Sequence, residues 1–174
     1  MMLSVAIESC KRPTNAWMLI LPYTQRLYAF EHKALVAIYP ISTSKNGLGE
    51  LKGSECTPRG WHQVHSVIGQ DKPMYAVFVG REWTGECYSP LLRKQFPKRD
   101  WILSRIIRLD GLESGFNKGD EVDTLSRYIY IHGAPEPLLK NKPLSHGCIR
   151  MRNQDIVNLA NWVYKGMCLY IHNK

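Results

Sequence analysis

One short segment holds most of the side chains that could do covalent chemistry. It is Ser145-His146-Gly147-Cys148-Ile149-Arg150, and it follows His132-Gly133 after a loop rich in proline and lysine. A cysteine attacks through its thiolate, which a neighbouring imidazole can generate by accepting the thiol proton. His146 is two residues from Cys148, whereas His132 is distant in sequence and would meet the cysteine only in the folded chain. The pattern indicates a cysteine nucleophile with one of two histidines as its base.

The neighbours of Cys148 also supply the other groups that acyl transfer needs. Gly147 has no side chain, so the backbone N–H groups of Gly147 and Cys148 can approach a substrate carbonyl as oxyanion donors. Arg150 offers a forked guanidinium for a substrate carboxylate, or alternatively pairs with an acidic side chain of the chain itself.

Other interpretations of the same residues stay open. His132, His146 and Cys148 are residue types that bind zinc, although no fourth ligand or carboxylate falls at metal spacing. Cys148 taken alone would be read as a buried structural cysteine. We expect neither a metal nor a cofactor.

Length, charge and cysteine content limit the class of protein. The 174 residues suit a single domain, predicted as residues 1–174 with a core from about residue 16. The net charge of +8 would attract an anionic peptide or nucleic acid, but the basic residues are scattered and no nucleic-acid motif is present. Five cysteines without CxxC spacing do not indicate a disulfide framework. We therefore expect no nucleic-acid partner, and the oligomeric state is not predictable.

The first residues do not match a secretory signal. Glu8, Cys10, Lys11 and Arg12 interrupt any apolar stretch there. The run Trp17–Leu21 is too short to span a membrane and suits a β-strand better. These features predict a cytoplasmic protein without membrane insertion.

Extended segments dominate the predicted secondary structure. Residues 17–21, a turn at 22–25 and the runs 26–30 and 34–42 predict an antiparallel meander of three strands. Further strands are predicted at 61–68, 75–79, 101–109, 128–132 and 167–172, with loops at 45–60 and 111–120 and irregular structure or a short helix at 84–100. The fold class is therefore mainly β with one or a few helices.

Two of these elements bear directly on the site. Alternation along residues 128–132 places Tyr128, Tyr130 and His132 on one face of a strand, so that Tyr130 either lines a pocket or fills the core. One amphipathic helix is predicted over residues 154–165, with Asn153 as its N-cap and Gly166 at its end.

Taken together, these motifs resemble the signature of the L,D-transpeptidase catalytic domain, also called the YkuD-type domain. The resemblance covers most of the chain and implies a β-sandwich-like fold. It is carried by His132-Gly133, the gap and the Ser145–Arg150 segment, and also by Gln25-Arg26-Leu27-Tyr28 and Thr57-Pro58-Arg59-Gly60.

The resemblance implies a role for each site residue. Cys148 would be the nucleophile and His132 the general base, oriented by the backbone carbonyl of Gly133. The oxyanion site would be lined by His146, Gly147 and Cys148. Of the remaining residues, Ser145 would shape the loop, Arg150 would help to bind the peptide, and Tyr130 is a candidate pocket residue.

The family acts on cell-wall stem peptides, and the acceptor decides the product. The thiol attacks the bond between the third residue, a diamino acid, and D-alanine, which leaves; carbapenems acylate the same cysteine. Water as acceptor gives an L,D-carboxypeptidase, and an amine gives a cross-link. We predict a cytoplasmic L,D-carboxypeptidase that trims murein tetrapeptides in peptidoglycan recycling, with transpeptidation as the alternative. A cell-wall-peptide binding module is a further alternative, against which the presence of Cys148 and His132 argues.

Overall fold

The computed structural model describes residues 15–139 and 142–173. The residues on which the export prediction depends, Glu8 to Arg12, lie outside these ranges. Within them the strands are β1 (Ala16–Leu21), β2 (Arg26–Glu31), β3 (Ala34–Ser42), β4 (Gly60–Ile68), β5 (Ala76–Val79), β6 (Glu82–Cys87), β7 (Ile102–Gly111), β8 (Tyr130–Gly133), β9 (Ile149–Met151) and β10 (Cys168–Ile171). The helices are α1 (Pro90–Gln95) and α2 (Asn153–Trp162), with 3₁₀ turns at Asp120–Val122 and Glu136–Leu138. The mainly β prediction is confirmed.

The strands form one sheet that closes on itself. Its order is β4-β10-β1-β2-β3-β9-β8-β7-β5-β6, and β7 also pairs with β4, which joins eight strands into a ring. The antiparallel meander predicted for β1 to β3 is confirmed. Two neighbouring pairs are parallel, β1 with β10 and β8 with β9. A parallel pair needs a long connection, which the chain between Gly133 and Ile149 provides for β8 and β9.

The main core joins one face of β8 and β9 to the inner face of α2. Ile131 and Ile149 are fully buried in this cluster, together with the helix residues Ile156 and Leu159. Apolar positions three apart on a helix share a face, which is why α2 packs its apolar stripe against the sheet. Because Ile131 and Ile149 point into this core, the residues next to them in β8 and β9 must point to the opposite face of the sheet.

Four local predictions need correction. The sequence predicts irregular structure or a short helix over residues 84–100, and Pro90–Gln95 does form the short helix α1. Glu82–Cys87, however, forms a strand; most of its side chains are exposed, so no apolar alternation marked it. Tyr128 stands outside β8 in a left-handed conformation with φ +58°. The N-cap of α2 is Arg152, which leaves Asn153 inside the helix. The helix ends at Trp162, so Gly166, with φ +89°, lies in the turn before β10.

No helix among the described residues is long and apolar enough to cross a membrane.

Asn153 should be needed for stability, because its buried side chain joins α2 to two other elements. It donates to the Ala134 carbonyl at 3.0 Å and accepts from the Ser104 hydroxyl at 2.7 Å. Asn153→Ala removes both of these buried hydrogen bonds, and we expect a loss of about 2–4 kcal/mol in the free energy of unfolding, measured by urea denaturation. Asn158→Ala, on the exposed face of the same helix, is the control and should stay within about 0.5 kcal/mol. Equal effects of the two substitutions would contradict this role.

Candidate active site

The parallel pairing of β8 with β9 brings Cys148 to His132. In this register His132 is opposite Arg150, and Ile131 is opposite Ile149. Since the isoleucines point into the core, His132 and Arg150 share the other face, and Cys148, two residues before Arg150, lies on that face as well. Cys148 and His132, which are far apart in sequence, are thus at neighbouring positions on the same face of the paired strands.

Backbone groups on both sides hold the Cys148 sulfur. The N–H of Tyr130 donates to Sγ at 3.4 Å, and the thiol donates to the Tyr128 carbonyl at 3.4 Å. The left-handed conformation of Tyr128 turns that carbonyl out of the ladder. An N–H aimed at the sulfur stabilises the thiolate, whereas the carbonyl favours the thiol, so these contacts suit a sulfur that changes protonation state.

His132 is oriented as the resemblance implied. The imidazole is 2% exposed, and its Nδ1 lies 2.8 Å from the Gly133 carbonyl. A carbonyl only accepts, so Nδ1 carries the proton and Nε2 is left as the basic nitrogen. Glycine is required beside it, because a Cβ at Gly133 would lie 2.6 Å from both the Leu103 carbonyl and the Asn153 side chain.

Burial sets the resting protonation of this pair. It lowers the pKa of His132 and raises the pKa of Cys148, because both charged forms lose hydration. The charges of Asp100 and Arg150 act on both groups. The resting state is therefore a neutral thiol and a neutral imidazole.

A hydrogen-bonded turn fixes the backbone beside the sulfur. Buried Ser145 donates from Oγ to the Cys148 carbonyl at 2.5 Å, and the same oxygen accepts the Gly147 N–H at 3.3 Å. The hydroxyl of Thr57 donates to the Gly147 carbonyl at 2.9 Å. Gly147 has φ +122° and packs against Ile129, so a side chain would be both strained and crowded there.

This turn corrects one predicted oxyanion donor. The Gly147 N–H is occupied by Ser145, whereas the Cys148 N–H makes no hydrogen bond within residues 15–139 and 142–173. The Cys148 amide is therefore the available donor for a developing oxyanion. The loop-shaping role of Ser145 agrees with the observed bonds.

Arg150 takes the second of its two predicted roles. The residue is 5% exposed; its guanidinium donates to the Leu144 carbonyl at 2.9 Å and pairs with Asp100 at 3.3 Å. A guanidinium so placed ties the loop before Cys148 to the segment before β7. Direct contact with a substrate carboxylate, the other predicted role, does not fit this burial.

His146 is separated from this pair. It is exposed, and its Nε2 contacts the Lys45 ammonium at 3.1 Å. An ammonium only donates, so Nε2 of His146 is the acceptor in this contact and is already engaged. His132 is therefore the base that the geometry favours. In the described part of the chain, His132, His146 and Cys148 do not form a metal-binding cluster.

Tyr130 contributes mainly through its backbone and its packing. Its ring is 5% exposed and packs with Ala76, Phe78 and Ile106, against which Cys148 also lies. Its hydroxyl accepts from Arg81 at 3.4 Å. Of the two sequence-based options, filling the core is the observed one.

A cavity of about 280 Å³ lies beside the turn of residues 145–148, which we call the Cys148 turn. Most of its lining side chains are charged or polar. The cavity is lined by Lys52, Gly53, Glu55, Ser126, Arg127, Tyr128, Ile129 and His146. The Arg127 guanidinium donates to the carbonyls of Gly49 and Cys56, at 3.2 and 2.7 Å. These bonds tie the segment before β8 to the loop that precedes β4. No sequence motif indicated Arg127 or Lys45 as residues near the site. Thr57, by contrast, lies in the Thr57-Pro58-Arg59-Gly60 motif.

Comparisons with known proteins agree with this geometry. The profile of the YkuD-type L,D-transpeptidase catalytic domain matches residues 16–171. Among curated proteins, none matches the chain.

Similar solved structures share the fold. An L,D-transpeptidase from Mycobacterium smegmatis is 16% identical with a TM-score of 0.56, over 91% of this chain and 58% of that one. L,D-transpeptidase 3 of Mycobacterium tuberculosis, solved with a faropenem-derived adduct, is 15% identical with a TM-score of 0.55, over 91% and 60%. A Bdellovibrio bacteriovorus structure is 14% identical with a TM-score of 0.56, over 92% and 48%. The chain spans less than two thirds of each of these structures.

The raised pKa of Cys148 predicts slow alkylation at neutral pH. At pH 7 iodoacetamide should label the exposed Cys87 well before Cys148, because little Cys148 thiolate is present. Labelling of Cys148 should rise about tenfold per pH unit between pH 8 and 10, followed by peptide mass spectrometry. A Cys148 rate that is already independent of pH at 7 would instead reveal a preformed thiolate.

Proposed function

Since the chain belongs to the L,D-transpeptidase catalytic domain family, we propose that it cleaves the bond before the terminal D-alanine of a cell-wall stem peptide through a thioester on Cys148. The observation that carries the proposal is the β8–β9 register, which puts Cys148 on the same face as His132, whose Nε2 makes no hydrogen bond within residues 15–139 and 142–173. The family acts on peptides of this kind, and no cofactor is required by the steps below.

In the first step Cys148 attacks the peptide carbonyl while His132 takes its proton. The S–C bond forms as Nε2 of His132 accepts the thiol proton, and the carbonyl oxygen becomes an oxyanion next to the Cys148 N–H. The oxyanion then collapses, the C–N bond breaks, and the imidazolium returns the proton to the amine of the departing D-alanine. A thioester between Cys148 and the remaining peptide is left.

The neutral resting pair suits this sequence. A neutral thiol and imidazole develop charge only as the S–C bond forms, and the resulting imidazolium holds the proton that the departing amine needs. The Tyr130 N–H, which points at the sulfur, then stabilises the charge at the moment of attack. Arg150 and Asp100 act on both groups from a distance, as positioning residues.

For the second step we propose water as the acceptor, which makes the protein an L,D-carboxypeptidase. His132 then removes a proton from water, the hydroxide attacks the thioester, and the tripeptide leaves as the thiol is restored. The substrate is proposed to be a murein tetrapeptide, and the place of reaction the cytoplasm, in peptidoglycan recycling. Hydrolysis needs no binding site for a second peptide, and this favours water as the acceptor when the substrate is a dilute free peptide. The similar solved structures are L,D-transpeptidases by name, so an amine is the competing acceptor.

Product analysis separates the two acceptors. Purified protein is given a murein tetrapeptide, alone and with an excess of acceptor amine, and the products are followed by mass spectrometry. We expect loss of one D-alanine with no joined peptides. Cys148→Ala should abolish the reaction, and His132→Gln should lower kcat by about 10²–10⁴. The control Cys87→Ala changes an exposed thiol that takes no part in the proposed steps and should be active. Cross-linked peptides as the main product would replace hydrolysis by transpeptidation, and full activity of Cys148→Ala would end the proposal.

The pH dependence of kcat/KM should show a low acid limb. Burial lowers the pKa of His132, so the imidazole stays unprotonated and competent well below the ordinary histidine pKa of about 6.5. We therefore expect half-maximal kcat/KM on the acid side clearly below pH 6. A half-maximal point at or above pH 6.5 would contradict the buried, neutral base.

A further inference from the structure

The proposed substrate ends in a carboxylate, and a residue other than Arg150 must bind that negative charge. Arg150 was the anion-binding residue predicted from the sequence, but it is buried and paired with Asp100. Arg127 spends its guanidinium on backbone carbonyls. A free carboxylate beside Cys148 therefore needs another cation.

Lys45 is an exposed cation whose backbone and side chain both contact the Cys148 turn. Its N–H donates to the Ser145 carbonyl at 3.1 Å, and the residue before it, Ser44, forms a parallel bridge with Ser145. Its ammonium contacts His146 Nε2 at 3.1 Å. Both the backbone and the side chain of Lys45 are thus anchored within three residues of the nucleophile.

The ammonium of Lys45 has donors to spare. It makes no salt bridge among the described residues, and it is exposed, as is the His146 ring that it contacts. An ammonium has three N–H donors, of which His146 takes one. His146 also lines the cavity beside the turn, together with the cations Lys52 and Arg127 and the acid Glu55. Lys52, by contrast, is tied by its backbone to Glu121 and not to the Cys148 turn.

We infer that Lys45, steadied by His146, binds the terminal carboxylate of the peptide and so makes the site selective for substrates with a free C-terminus. This inference rests on the proposed function and narrows its substrate class to peptides that end one residue after the scissile bond. It also gives His146 a role, as the hydrogen-bond acceptor that orients the ammonium. An ammonium already fixed in place loses less side-chain entropy when a carboxylate arrives.

Binding to an inactive variant tests the inference without catalysis. In the Cys148→Ala background, calorimetry compares a tetrapeptide with a free C-terminal carboxylate and the same peptide with a C-terminal amide. We expect the acid to bind about tenfold more tightly, which is the size of effect for one charge-assisted hydrogen bond at an exposed site. Adding Lys45→Met should remove that preference, and Lys45→Arg should retain most of it.

Two further lysines serve as matched variants. Lys165→Met is the control, since it is exposed and precedes β10, which lies four strands from β9 in either direction around the ring; the preference should survive it. A preference that disappears with Lys52→Met but survives Lys45→Met overturns the assignment of Lys45. So does equal or undetectable binding of acid and amide in the parent. Preferential binding of the acid by a wild-type protein that releases no D-alanine would remove the proposed reaction and leave the carboxylate site intact.

Discussion

The site depends on the register of one short parallel strand pair. With Ile131 and Ile149 both buried in the core, His132 and the Cys148–Arg150 side of β9 must share the opposite face. A slip of one residue would move the cysteine to the other face from the histidine and expose the core isoleucines. Because exposing these isoleucines is costly, the packing of α2 against the ring of strands also stabilises the catalytic geometry.

Burial gives this pair its chemical character. The same close packing that fixes the sulfur between two backbone groups removes water, and so it favours the uncharged forms of both Cys148 and His132. Cys148 and His132 rest uncharged beside the Arg150–Asp100 ion pair. The site provides a base with a defined basic nitrogen, an amide at the sulfur and a second amide for the oxyanion. Anion recognition is displaced outward, to exposed cations such as Lys45, where a charged group keeps its hydration until a substrate arrives.

Much of the fold was predictable because it depends on local patterns. Strands such as β1 and β3 follow apolar or branched runs, and the motif around Cys148 indicated the nucleophile together with His132 and Gly133. Other features depend on contacts that no local pattern encodes. The partner of Arg150 is Asp100, fifty residues away in sequence, and β6 is mostly exposed and so lacks a periodic signal. The prediction of Gly147 as an oxyanion donor was wrong because the Ser145 hydroxyl takes its N–H.

The central claim is that the Cys148 thiol is the nucleophile and that His132 activates it. The most direct measurement is acylation by a carbapenem, followed by intact mass and peptide mapping in the wild-type protein and in His132→Gln. The account predicts one adduct, on Cys148, that forms about 100-fold more slowly without the imidazole. An adduct on Cys56 or Cys87, or an equal rate in the two proteins, would contradict it.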